Sequence, residues 1–134
     1  MPLKIYIASK ISHGDMLLHW SESVPMAKYE YTSRWYKEPF RGMPETPGFS
    51  KMFWAIDVKD VKAADLLILY AQEEDHIRGA ILEAGIAIGL GKPVILVGEN
   101  KGFGTWQHHA LVVKLAALNE VEQFLEGHNL LWRA

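Results

Sequence analysis

Three runs of the chain are almost unbroken in apolar residues: Leu3 to Ala8 (LKIYIA), Asp65 to Ala71 (DLLILYA) and Lys92 to Gly98 (KPVILVG). Each is short, and none alternates as a strand wetted on one face would. Such runs mark strands covered on both faces, as in parallel sheets. Segments with helical spacing lie between them: Asp15 to Val24, Met52 to Ala64 and Asp75 to Leu90, with Asn119 to Glu126 near the end. Pro25 stops the first helix, and Gly91 gives the third a left-handed stop. Lys28 to Trp35 (KYEYTSRW) alternates and is rich in aromatics, which predicts a further strand. Leu111 to Lys114 (LVVK) is expected as a short last strand. Strand alternating with helix predicts a parallel α/β sheet. No repeat, low-complexity stretch or linker interrupts the 134 residues, so one domain over 1–134 is expected.

Apolar residues make up 49% and charged residues 22%, which supports a core and argues against disorder. The formal net charge of -2 gives no basic footprint, so no nucleic-acid polymer is expected as a partner. The absence of cysteine excludes disulfides and thiolate metal sites. The apolar run at the N-terminus is too short for a signal peptide, and no run is long enough to span a membrane. The expectation is a soluble, cytoplasmic protein.

In open parallel sheets ligands bind beyond the carboxyl ends of the strands. Those ends are the stretches after Ala8, Trp35, Ala71 and Gly98. Ser9, Lys10 and Ser12 follow the first strand and can hold a phosphate or a sugar hydroxyl, or serve as ordinary turn residues. Tyr36 to Lys51, with three prolines and two glycines, is long for a simple connection. It reads as a lid, a binding loop or a surface excursion. Trp35, Tyr36, Phe40, Phe49, Phe53 and Trp54 surround it. They can stack on a planar base or form a satellite cluster that pins the loop.

One acid interrupts the apolar stretch Ile77 to Gly98. Glu83 lies on a helix face with Gly79, Ala80 and Ala87, at spacings of three and four. Small neighbours leave room beside its carboxylate. A buried, uncompensated carboxylate costs several kcal/mol, roughly, so it must be paired, snorkel to water or do chemistry. Asp57 sits in an otherwise apolar WAIDV, and Asp75 in AQEEDH is placed to cap the next helix. Convergent carboxylates suit glycosidic chemistry, one at the anomeric carbon and one handling the leaving group's proton. Arg78, in the first turn of the same helix, opposes the helix dipole. It pairs with Glu74 or receives an anion. Six histidines show no ligand spacing, and no phosphate loop, GxSxG elbow or GxGxxG follows a strand, so neither a metal nor an organic cofactor is expected.

In order along the chain, KIYIAS, TSRW, AIDV, ADLLILYA and LEAGIAIGLGKPVILVG resemble the nucleoside 2-deoxyribosyltransferase superfamily, which includes 2-deoxynucleoside 5-monophosphate N-hydrolases. The tail NKGFGTWQHHALVVKLAALNEVEQFL is similar to that family's closing loop, strand and helix. The most specific part runs from Glu83 to Ile95. The resemblance implies a small Rossmann-like, flavodoxin-like three-layer fold with a five-stranded parallel sheet, assembled as a homodimer or higher oligomer. It implies a small-molecule nucleoside or nucleotide as partner. Glu83 matches the family's nucleophile, Asp57 and Asp75 the aspartates serving the base, and Tyr6 a tyrosine that orients the glutamate. Ala8, Ser9, Trp35, Arg78 and Gly79 are the expected substrate contacts. EEDHIRGA departs from the family's Asp-x-Gly-Thr loop. On that departure rests an alternative, a non-catalytic nucleotide-binding sensor or regulatory module of the same fold.

Overall fold

The structure is a computed structural model describing residues 2–133, with side chains described as far as Gly127. Five parallel strands form one sheet: β1 (Lys4–Ser9), β2 (Glu30–Tyr31), β3 (Leu66–Tyr70), β4 (Val94–Val97) and β5 (Val112–Leu115). Their order is β2-β1-β3-β4-β5. That is the doubly wound order in which the chain leaves β1 for one edge and returns to the other side, so the switch point lies between β1 and β3.

Alternation along the strands separates two cores. Tyr6 and Ala8 of β1, Leu67 and Leu69 of β3, and Val94 and Leu96 of β4 face one side. There α2 (Pro47–Ala63) brings Val61, and α3 (Arg78–Gly89) brings Ala80, Ala84 and Ala87. Ile5, Ile7, Leu66, Ile68, Ile95 and Val97 face the other side, against Leu17 of α1 (Gly14–Glu22) and Val121 and Leu125 of α4 (Val121–Arg133). The central strands are thus buried on both faces, as their apolar runs predict.

The second strand is much shorter than Lys28 to Trp35: only Glu30 and Tyr31 pair with β1. Beyond them the edge of β1 is satisfied largely by side chains. The Ile7 N–H donates to Ser33 Oγ at 3.1 Å, and the Trp35 indole N–H donates to the Ile7 carbonyl at 2.7 Å. Ser33 is itself fully buried and bonded to the Tyr36 hydroxyl at 2.8 Å. Two side chains therefore do the work of a strand.

The long loop is also shorter than expected, because α2 begins at Pro47 and not at Met52. Thr46 caps it, accepting from the Phe49 N–H at 3.5 Å, and proline fills the first turn, where no N–H partner is needed. Phe49 stacks on Phe53, and Phe40 meets the same ring edge-on. Those aromatics pin the loop to α2. At the other end of α2, Lys92 Nζ donates to the carbonyls of Val61, Lys62 and Ala64. The lysine of GLGKP is a helix C-cap from outside the helix.

Two glycines give opposite predictions. Gly98 has φ +96°, and a Cβ there would lie 2.1 Å from the Ala71 carbonyl oxygen. Gly98→Ala is expected to destabilise the fold by about 2 kcal/mol or more in chemical denaturation. Gly85 sits mid-helix with open space around its missing side chain. Gly85→Ala is expected to stabilise by roughly 0.5–1 kcal/mol.

Candidate active site

Tyr6 is central on the sheet face that carries α2 and α3 and is fully buried. Its hydroxyl donates to Glu83 Oε2. Glu83, on the second turn of α3, is 6% exposed, so its carboxylate is neither at a helix edge nor snorkelling to water. Asp57, half-buried on α2, completes the cluster from the neighbouring helix.

Burial raises the carboxyl of Glu83 to about 8, despite the hydrogen bond from Tyr6, and the negative charges of Asp57 and Asp60 add to the rise. Burial also raises Asp57 to about 6, with Asp60 adding and Arg34 and Tyr6 partly offsetting. Tyr6 is pushed well above its ordinary range by burial and by both carboxyls, so it stays a donor. Groups this close titrate as a unit. Between about pH 6 and 8 the pair Glu83–Asp57 carries one proton and one charge.

One turn further along α2, Asp60 is 4% exposed and is gripped by Arg34. Arg34 Nε donates to Oδ1 at 3.1 Å and to Oδ2 at 3.0 Å, and Nη2 donates to Oδ1 at 2.7 Å. The sequence reading missed this pair. Its only signal was the spacing of three between Asp57 and Asp60; nothing pointed to an arginine 26 residues earlier.

Asp75 stands apart from the cluster and does not cap the helix. The cap position of α3 is Ile77, and no side chain bonds there. Asp75 Oδ2 accepts from the Gln72 N–H at 2.8 Å and lies 2.8 Å from His13 Nε2, which hold its carboxyl below the usual range against the opposing effect of burial. The contact bridges the loops after β1 and β3, across the switch point. Ser9 ties the same two strand ends, donating from Oγ to the Tyr70 carbonyl at 2.7 Å.

The other expected contacts are distributed. Ala8 is fully buried in the core, and the Trp35 N–H is occupied by Ile7. Arg78 is exposed and makes no ion pair with Glu74 or any other acid among the described residues. Gly79 faces the Trp54 ring of α2, which a Cβ there would meet at 3.6 Å, in ordinary van der Waals contact. Ala80 and Ala87 face the sheet. The small residues of α3 thus serve close packing of the helix. Two surface cavities, of about 380 and 350 Å³, lie beyond the carboxyl ends of β3 and β4; Tyr70, Gly98 and Leu118 line the first, Asp75, Arg78, Ile81 and Asn100 the second, and neither is lined by Tyr6, Asp57 or Glu83. Among the described residues no three histidines or acids are grouped to hold a metal ion. His128 lies outside the described side chains.

Both carboxyls bind protons more tightly in the folded chain than in an unfolded one, where values near 4 apply. Their contribution to stability is therefore complete below about pH 4. It is lost as the pH rises through about 6 for Asp57 and about 8 for Glu83. Glu83→Gln keeps an acceptor for Tyr6 but no titrating proton. It is expected to melt close to wild type in acid and measurably higher than wild type above pH 8. A melting difference that ignores pH would contradict the buried carboxyl.

No protein-family model matches the chain, and no curated protein matches it. Solved structures do. The 2-deoxyribosyltransferase of Bacillus psychrosaccharolyticus superposes with a TM-score of 0.66 at 20% identity, over 89% of this chain and 90% of that one. The CMP N-glycosidase of Clostridium botulinum superposes with a TM-score of 0.56 at 17% identity, over 92% and 98%. The chain has the nucleoside 2-deoxyribosyltransferase-like fold, a three-layer α/β sandwich around a five-stranded parallel sheet.

Proposed function

We propose that the chain is a member of the nucleoside 2-deoxyribosyltransferase superfamily, acting in nucleotide metabolism in the cytoplasm. It cleaves the N-glycosidic bond of a 2′-deoxynucleoside or its 5′-monophosphate. The observation that carries this reading is the buried Glu83 carboxyl held by Tyr6, with Asp57 alongside. Two solved structures with this fold, a 2-deoxyribosyltransferase and a CMP N-glycosidase, support it.

Glu83 as carboxylate attacks C1′ and forms a glycosyl ester. The C1′–N bond breaks, its electron pair goes to the base nitrogen, and Asp57 delivers its proton to the base. A second base resolves the ester in an exchange, or water in a hydrolysis, with net retention at C1′. Tyr6 steadies Glu83 by donating to one oxygen. The single proton shared by the two carboxyls has to sit on Asp57 while Glu83 is charged. No metal or organic cofactor takes part.

Large apolar side chains stand exposed on α2 and α3, among them Met52 at 41% and Leu82 at 60%. They support assembly into a homodimer or higher oligomer, which light scattering reads directly. A second reading, a nucleotide-binding module without turnover, is favoured by the commitment of Asp75 to His13 and Gln72. Calorimetric binding without release of base would establish it.

Base release from deoxynucleosides and deoxynucleotides, with and without an acceptor base, tests the proposal. Glu83→Ala is expected to fall to background, and Asp57→Asn to lose roughly 100-fold or more. In wild type kcat/KM is expected to be bell-shaped, with limbs near pH 6 and 8. Wild-type rates in Glu83→Ala on every substrate would overturn the assignment.

A further inference from the structure

The cluster contains a fourth buried group that the reaction above does not use. Asp60 shares a face of α2 with Asp57, three residues and nearly one turn away. One arginine, Arg34, reaches this face, and it makes three hydrogen bonds to Asp60. The match is a guanidinium fork on a carboxylate, the strongest geometry such a pair adopts. The Asp60 side chain is 6% exposed, that of Arg34 41%. The acid is fixed in the protein, and the arginine comes to it from the segment after β2. Asp57 faces Tyr6 from β1, Glu83 from α3, Asp60 on its own helix, and Arg34. Released from Asp60, the guanidinium would have Asp57 as its nearest alternative partner on α2. An arginine bonded to Asp57 would hold it as a carboxylate with no proton to give.

We propose that Asp60 is a positioning residue of the site: by occupying Arg34 it keeps that cation off Asp57 and leaves Asp57 able to carry the proton that the departing base takes up. The inference rests on the proposed function for the identity of that proton's destination, but the arrangement itself is testable without substrate. In this role Asp60 acts through Arg34 and Asp57, beside the direct effect of its own charge.

The test is a carboxyl-carbon NMR titration of protein labelled at aspartate, with the Asp57 signal assigned by its loss in Asp57→Asn. In wild type the midpoint is expected at about 6. Asp60→Asn removes one negative charge and frees Arg34, and the proton affinity of Asp57 is expected to fall roughly tenfold or more, toward the ordinary aspartate range. Arg34→Gln leaves Asp60 in place and removes the cation, so the Asp57 midpoint is expected to rise. In the Arg34→Gln background Asp60→Asn removes only its own charge, so it is expected to lower the Asp57 midpoint less than it does with Arg34 present; an equal fall in both backgrounds would overturn the proposal. These opposite displacements should recur in the limb of the kcat/KM profile that Asp57 controls. A purely structural pair would lower the melting temperature in both variants and leave the Asp57 midpoint unmoved, which overturns the proposal. Should Asp60→Asn fail to fold, Arg34→Gln decides alone: an unchanged or lower midpoint refutes it. Because the titration needs no turnover, an inert wild type with the expected displacements would sink the enzymatic reading while leaving this inference standing.

Discussion

The hydrogen bond from Tyr6 to Glu83 is the constraint around which the structure is arranged. It joins β1 to α3 on the face of the sheet that α2 and α3 cover. A carboxyl there needs a donor at a fixed height on the sheet, and an inward-facing tyrosine on β1 provides one. It also needs the helix to lie close, and Ala80, Ala84 and Ala87 allow that by presenting little more than a methyl group each to the sheet. Trp54 of α2 lies over Gly79, a turn before the glutamate.

The cost of this burial shows in the proton affinities. An acid raised to about 8 is neutral in the resting protein at ordinary pH, which suits folding and opposes nucleophilic attack. In the proposed reaction Asp57 holds the proton while Glu83 is charged, although it binds that proton less tightly than Glu83 does. The two demands are reconciled by a shared proton and a persistent donor, Tyr6. The charge on Glu83 that weakens the fold in alkali is the one that the proposed reaction requires. The Arg34–Asp60 pair stands beside these carboxyls, Arg34 lowering and Asp60 raising the proton affinity of Asp57.

Much of the frame was legible in the residues. Continuous apolar runs announced β1, β3 and β4, because burial on both faces leaves no room for alternation. Glu83 stood out for the complementary reason, as a carboxyl in a run that wants to be dry. What failed to read through was decided by single side chains acting over distance. KYEYTSRW has strand-like alternation, yet Ser33 and Trp35 replace backbone pairing with side-chain bonds that no periodicity encodes. The start of α2 was signalled by Thr46 and Pro47, but the proline-rich neighbourhood masked it. Asp75 looks like a helix cap and instead meets His13, 62 residues away. Gly79 suggested space, and space was taken by an indole from another helix. Local pattern reports which face is buried; it does not report which partner arrives there.

The central claim is that Glu83 forms a bond to the sugar. Mass spectrometry of protein quenched during turnover of a slow 2′-deoxynucleoside tests it most directly. The account predicts a deoxyribosyl adduct on the peptide carrying Glu83, absent from Glu83→Ala and discharged by added base or by water. Base release at wild-type rate with the adduct on any other residue would contradict it.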